Sequence, residues 1–156
     1  MVSGMTTRAA RTSYLLRQAQ MRVFTAMVER LGVLGLTPVQ YMVLSLSSRE
    51  GGLSSADLAR RAQITPQSMN EVITALHRKG LIKRHEAAEN RRILRVVLTK
   101  EGNRLLPECE RQIDQLEAEL FGCFNKNELT AFRSLLSIFL ESQRIDSHTA
   151  ASEAAV

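Results

Sequence analysis

The sequence predicts a mainly α-helical chain with one small β-hairpin, and three observations carry that prediction. Apolar residues recur at three- and four-residue spacing through most of the 156 residues, the periodicity of helices with one buried face. The run from Arg91 to Leu98 alternates, with Leu94, Val96 and Leu98 on one face and Ile93, Arg95 and Val97 on the other, after a short extended segment, Ile82-Lys83-Arg84-His85, and a polar turn, Glu86 to Asn90. Two such runs around a turn read as a hairpin. Thr37-Pro38 and Thr65-Pro66 each join a capping hydroxyl to a proline at the first helical position, where its missing N–H costs nothing.

Composition narrows the function. Hydrophobic residues make up 44% of the chain and aromatics only 4%, with no Trp, so a folded, aliphatic core is expected. The net charge is +5 and it is unevenly placed. Residues 54–104 hold 11 Lys/Arg against 5 Asp/Glu, a net of +6, and the rest hold 10 against 11. A polyanion is the natural partner of such a segment. Cys109 and Cys123 are too few for a disulfide framework or a zinc site, and both are expected as buried structural thiols. Arg8, Arg11, Arg17 and Arg22 interrupt any signal-peptide apolar run, and no stretch is long enough to span a membrane. A cytoplasmic protein is expected.

Taken in order, residues 1–7 read as a disordered tail. Residues 8–36 follow as a long helix with Leu16, Ala19, Gln20, Val23 and Met27 on one face and Leu15 and Val28 beside it. It is too long to be covered by its own small domain, so it should pack on another chain or on the C-terminal helices. A second helix opens at Thr37-Pro38 and is strongly apolar through Val39, Met42, Val43, Leu44 and Leu46. Tyr41 can line a pocket there or pack in the core. Leu53 is a candidate for a short strand, and Ser54 or Ser55 caps a short helix with Leu58, Ala59 and Ala62 inward. The next helix, from Thr65 to Lys79, carries Met69, Val72, Ile73 and Leu76 as one stripe, and Gly80 stops it. The two form a helix-turn-helix, and the basic hairpin after them is a wing. Residues 37–100 thus make a winged helix-turn-helix. Thr99 caps a further helix in which Pro107 predicts a kinked first turn or a later start. Residues 101–145 hold two helices, the second from about Glu128 to Arg144, and residues 146–156 show no pattern and should be disordered.

The candidate interface follows from the second helix of the pair. Gln67, Glu71, Thr74 and Arg78 lie opposite its apolar stripe, with Ser68 and Asn70 on the flanks. Gln and Asn can read adenine bidentately and Ser or Thr can serve either base type, so Gln67, Ser68, Asn70 and Thr74 are the base-reading candidates. Glu71 either accepts from a cytosine amine, positions an arginine or is merely solvated. Arg78, Lys83 and Arg84 are phosphate candidates, and Arg91, Arg92 and Arg95 add to the charge of the wing. No Ser/His/Asp set, phosphate-binding glycine loop or metal-ligand spacing appears. Glu117 and Glu119 fall on different helix faces, and His77 and His85 lack ligand partners. No catalytic residue, metal or cofactor is therefore expected.

From roughly residue 12 to 144 the chain resembles the MarR family of winged-helix transcriptional regulators. The carriers are Leu36-Thr37-Pro38, the run LSSADLARRAQITPQSMNEVITALHRKGLIKR, and Arg92 six residues before Leu98-Thr99 with Lys100-Glu101-Gly102 following. The resemblance implies a homodimer with interlocked N- and C-terminal dimerisation helices, bound to a pseudo-palindromic DNA operator. It implies a repressor released by a small aromatic or phenolic effector held between the dimerisation helices and the winged domain, in parts of 15–27, 38–46 and 105–116. The ligand-binding residues are left unassigned. An activator, or a winged-helix dimer serving as a protein-interaction module, are the alternatives. One departure is visible: where the family's wing often reads Asp-x-Arg, this chain has Asn90-Arg91-Arg92. Arg92 matches the wing arginine, and Glu89 is the nearest acidic substitute for its partner.

Overall fold

The computed structural model describes residues 11–49, 52–87 and 90–153, with side chains at all of these except 87, 90–93 and 143–153. Its elements are α1 (Thr12–Gly32), α2 (Pro38–Arg49), β1 (Leu53–Ser54), α3 (Ser55–Ala62), α4 (Pro66–Arg78), β2 (Ile82–Ala87), β3 (Asn90–Leu98), α5 (Lys100–Phe121) and α6 (Lys126–Glu153). The chain is mostly helical, with one small antiparallel sheet of order β1-β3-β2. It divides into two compact units, the boundary falling after Leu116.

In the first unit, α1 has no side-chain cap, whereas α2, α3 and α4 each begin where a side chain satisfies free helix N–H groups. The Thr37 hydroxyl accepts from the Gln40 N–H at 3.2 Å, and the Gln40 side-chain carbonyl accepts from the Thr37 N–H at 3.2 Å, a reciprocal capping box. Ser54, rather than Ser55, caps α3: its hydroxyl accepts from the Asp57 N–H at 3.1 Å and donates to the Asp57 carboxylate at 2.7 Å. Thr65 caps α4 through the Ser68 N–H at 3.1 Å. The turn between α3 and α4 is carried by Gln63 at φ 52°, a left-handed position usually left to glycine.

Met69, Ile73 and Leu76 of α4 are buried against Val43 and Leu44 of α2, Leu31 of α1, Leu58 and Ala59 of α3, and Ile82 and Val96 of the sheet. These side chains form one aliphatic core, and the predicted stripes of α3 and α4 meet in it. Val72, on the edge of the α4 stripe, is half-buried. In α2, Val43 and Leu44 are buried as expected, whereas Val39, Met42 and Leu46 are only half-buried. Leu53 pairs with Val96, and Ile82 with Leu98. The strands extend further than the alternation suggested. Glu86, Ala87 and Asn90 belong to them, with a register shift between Glu86 and Ala87.

Gly80 ends α4 at φ +71°, and the Leu81 N–H returns to the Leu76 carbonyl at 3.1 Å. Thr99 then joins two elements: its hydroxyl accepts from the Gly102 N–H at 3.1 Å and donates to the Gly80 carbonyl at 2.6 Å. A Cβ on Gly102 would stand 2.1 Å from the Leu81 carbonyl oxygen, so only glycine allows α5 to rest on the start of the wing. Pro107 lies inside α5, which begins at Lys100 and runs through it. The expectation of a later start is therefore corrected. The Thr99 cap sets the start seven residues earlier, and the proline forfeits one backbone bond within a helix held by Leu106, Cys109 and Leu116.

In the second unit, Asn125 caps α6 through the Glu128 N–H at 3.0 Å, and the Glu128 carboxylate returns to the Asn125 N–H at 2.8 Å. Phe132 packs against Phe121 and Phe124, with ring centroids 6.2 and 5.4 Å apart. Helix α6 continues to Glu153, through eight residues of the stretch expected to lack structure. That segment has no Pro or Gly to stop a helix, and its alanines favour one. Residues 1–7 and, within the predicted wing turn, residues 88 and 89 lie outside the described residues.

Candidate nucleic-acid interface

The outward face of α4 forms a shallow recess lined by Gln67, Asn70, Glu71, Thr74 and Arg78. These five side chains fall within an arc of about 100° around the helix, opposite the buried Met69, Ile73 and Leu76. The core thus holds one side of the helix and leaves a wholly polar side open. Ser68 is exposed at the N-terminal end, where its hydroxyl accepts from the Thr65 hydroxyl at 2.9 Å. Its own proton remains free to donate. The Thr74 hydroxyl instead donates to the Asn70 carbonyl at 2.7 Å, so Thr74 presents only lone pairs and a methyl group.

The C-terminal end of this helix is clamped. The Lys79 ammonium donates to the Gln40 side-chain carbonyl at 3.0 Å and also to the Gly35 carbonyl. Gln40 is buried and already serves the α2 capping box. Lys79 therefore fixes the end of α4 to the turn before α2. Its commitment there leaves Arg78 as the terminal cation of the outer face.

Beside that face lies a second recess, of about 370 Å3, lined by Thr74, His77, Lys83 and Arg84. The first wing strand meets the helix here, so two predicted phosphate contacts, Lys83 and Arg84, adjoin the predicted base-reading face. His77 belongs to the same recess. The sequence places it in the last turn of α4 but does not show that β2 would bring two cations to it. Arg95 has a different role: it is half-buried and donates to the Gly52 carbonyl at 3.3 Å, tying β3 to the loop before β1. Arg91 and Arg92 lie on β3, and their side chains fall outside the described residues, as does Glu89.

A third concavity, of about 400 Å3, opens between α1 and α2. Phe24, Met27, Val39, Met42 and Leu46 supply apolar walls, and Tyr41 and Arg49 are among its polar lining groups. Burial, and then the nearby Glu110 carboxylate, raise the Tyr41 phenol above its ordinary pKa, with Arg49 opposing. Tyr41 is thus a protonated donor at neutral pH. It packs partly against the core and lines the groove as well. Arg17 and Arg22 do not line it. Arg49 does, at the last turn of α2, which its place in the sequence does not reveal. Cys109 is buried, and burial pushes its thiol up. Cys123 is exposed, against expectation, in the turn that follows α5. Among the described residues no group of acidic, His and Cys side chains is placed to hold a metal ion, and no helix is long and apolar enough to cross a membrane.

Comparison with known proteins agrees with this geometry. The MarR family profile matches residues 34–93, which include α2, the helix-turn-helix and the start of the wing. An HTH-type transcriptional repressor of Mycobacterium tuberculosis is 33% identical over 106 residues, covering 68% of this chain and 76% of the relative. The homoprotocatechuate degradative operon repressor of Escherichia coli is 28% identical over 124 residues, covering 80% and 82%. A crystal structure of a Mycobacterium tuberculosis MarR family protein in complex with p-aminosalicylic acid superposes with a TM-score of 0.69 at 29% identity, covering 83% of this chain and 98% of that one. The winged helix-turn-helix, the polar outer face of α4 and these relatives together make this chain a member of the MarR family of DNA-binding transcriptional regulators.

Proposed function

We propose that the chain acts as a homodimer that represses transcription from a pseudo-palindromic operator and is released by a small aromatic or phenolic ligand. The observation that carries the DNA reading is the recess of Gln67, Asn70, Glu71, Thr74 and Arg78, with Lys83 and Arg84 beside it. In this reading Gln67, Ser68, Asn70 and Thr74 contact bases, while Arg78, Lys83 and Arg84 hold phosphates. Arg91 and Arg92 extend the contact from the wing. Two such helices related by a twofold axis would meet successive major grooves about 34 Å apart.

Exposed apolar rows support the dimer. On α1, Tyr14, Leu15, Met21 and Phe24 are exposed, and on α6 so are Leu135, Ile138, Phe139 and Leu140. Apolar surface of that extent is normally covered by a partner, and a second copy covers both rows. The effector is assigned to the groove between α1 and α2, whose volume suits a small molecule. Tyr41 can donate to a carboxylate or phenolate there, and Arg49 supplies a counter-charge. The relative that holds p-aminosalicylic acid supports an aromatic acid as the ligand class.

The test is binding to the DNA upstream of the chain's own gene, titrated against salt beside a scrambled duplex and repeated with salicylate. The expected result is tight binding to the upstream duplex alone, with log affinity falling steeply as log salt rises, and weaker binding when salicylate is present. Equal, weak binding to both duplexes would remove the operator reading. Binding to neither at low salt would favour a protein-interaction module.

A further inference from the structure

We propose that Glu71 is a specificity-determining residue that accepts a hydrogen bond from the exocyclic amine of a cytosine in each half-site. The proposal rests on the DNA-binding reading of α4 and deepens it. Glu71 lies mid-length on the recognition face, between Gln67 and Asn70 on one side and Thr74 and Arg78 on the other. A carboxylate there faces an electronegative groove and weakens binding to DNA in general. Three exposed helical carboxylates elsewhere are neutralised within their own helix: Asp57, Glu101 and Glu108 each hold an arginine three residues on. Glu71 has Thr74 at that position and Ala75 at the next. No ion pair joins it to a described residue. Its charge is left for whatever occupies the recess.

The surroundings narrow what that can be. Thr74 has spent its proton on the Asn70 carbonyl, so Glu71 and Thr74 together form an acceptor-only patch. In the major groove guanine presents two acceptors, thymine an acceptor and a methyl group, and adenine an acceptor beside its amine. Cytosine alone presents a donor and no acceptor on its own edge. The carboxylate therefore attracts cytosine and repels the carbonyl and ring-nitrogen edges of competing bases. It costs general affinity and returns selectivity.

Selection of bound duplexes from a randomised pool tests this with the wild-type protein, Glu71→Ala and Glu71→Gln. The side chain is exposed, and neither variant disturbs the core. Wild type should enrich cytosine roughly tenfold at one position in each half-site. Glu71→Ala should lose the preference there and keep it elsewhere. Glu71→Gln, which can donate as well as accept, should shift that position towards adenine. If both variants keep every wild-type preference, even while binding all duplexes more tightly, Glu71 is a solvated charge and the assignment is overturned. If wild type itself enriches no sequence, the DNA reading fails and this proposal with it.

Discussion

Helices α2 and α4 open with the same signal, Thr-Pro, and end in opposite roles. Both use the threonine hydroxyl to accept an N–H three residues on. Beyond that first turn they diverge. Helix α2 buries Gln40, Val43, Leu44, Ser45 and Ser47 and presents Val39, Met42 and Leu46 half-buried to a groove, so little of it faces water. Helix α4 buries only Met69, Ile73 and Leu76 and keeps a full polar side in solvent. A cap decides where a helix begins, and the number of apolar faces decides whether it is scaffold or interface. Lys79 joins the two, anchoring the end of the exposed helix to the start of the buried one.

The comparison breaks most severely at its shared core. Leu44→Ala in α2 and Leu76→Ala in α4 should each lower stability by about 2–5 kcal/mol, measured by denaturant unfolding at fixed protein concentration, since both leave a cavity in one aliphatic cluster. Comparable losses would show that the helices rest on a common core despite their different faces. A loss at Leu76 of under 1 kcal/mol would mean that α4 is held by its clamp rather than its stripe.

Contacts with DNA should separate the helices next. Gln67→Ala is expected to weaken operator binding by about 1–3 kcal/mol with no change in unfolding midpoint, because the side chain is exposed. Arg92→Ala on the wing should weaken it over the same range. Unchanged affinity in either variant would remove that residue from the interface.

Smaller effects compare the two caps. Thr37→Ala and Thr65→Ala should each cost about 1 kcal/mol of stability. The larger loss is expected at Thr37, whose partner Gln40 is buried and also receives Lys79. Equal losses in a double-mutant series with Lys79→Ala, adding without coupling, would show that the clamp is independent of the cap. The smallest change is Ser47→Ala in α2. Its buried hydroxyl has no hydrogen-bond partner among the described residues, so removing it should leave stability within about 0.5 kcal/mol or raise it. A loss above about 1 kcal/mol would point to a partner water.

The winged helix-turn-helix was legible because its signals are local. Caps at Thr37, Thr65 and Thr99, the stop at Gly80 and the stripe through Met69, Ile73 and Leu76 all act within one or two turns of chain. Readings that depended on distance fared less well. Pro107 reads as a break because its cost is local, while the packing of Leu106 and Cys109 that tolerates it is not. Cys123 reads as a core thiol from residue type alone, though the core ends before it. Arg95 counts as wing charge in sequence, and only the approach of the loop at Gly52 turns it into a strut.

Residue type and a fixed period were enough to place the starts of α2 and α4, the stop at Gly80, the apolar face of α4 and the positive charge gathered around it. Only the tertiary structure decided which polar groups are spent and which are free. Lys79 is taken by Gln40 and Gly35, from 39 and 44 residues away, and the groove between α1 and α2 gathers Phe24, Tyr41 and Arg49 from separate turns. Hydrogen bonds and cavities of that kind depend on distances between elements, and those are set by how the aliphatic core closes.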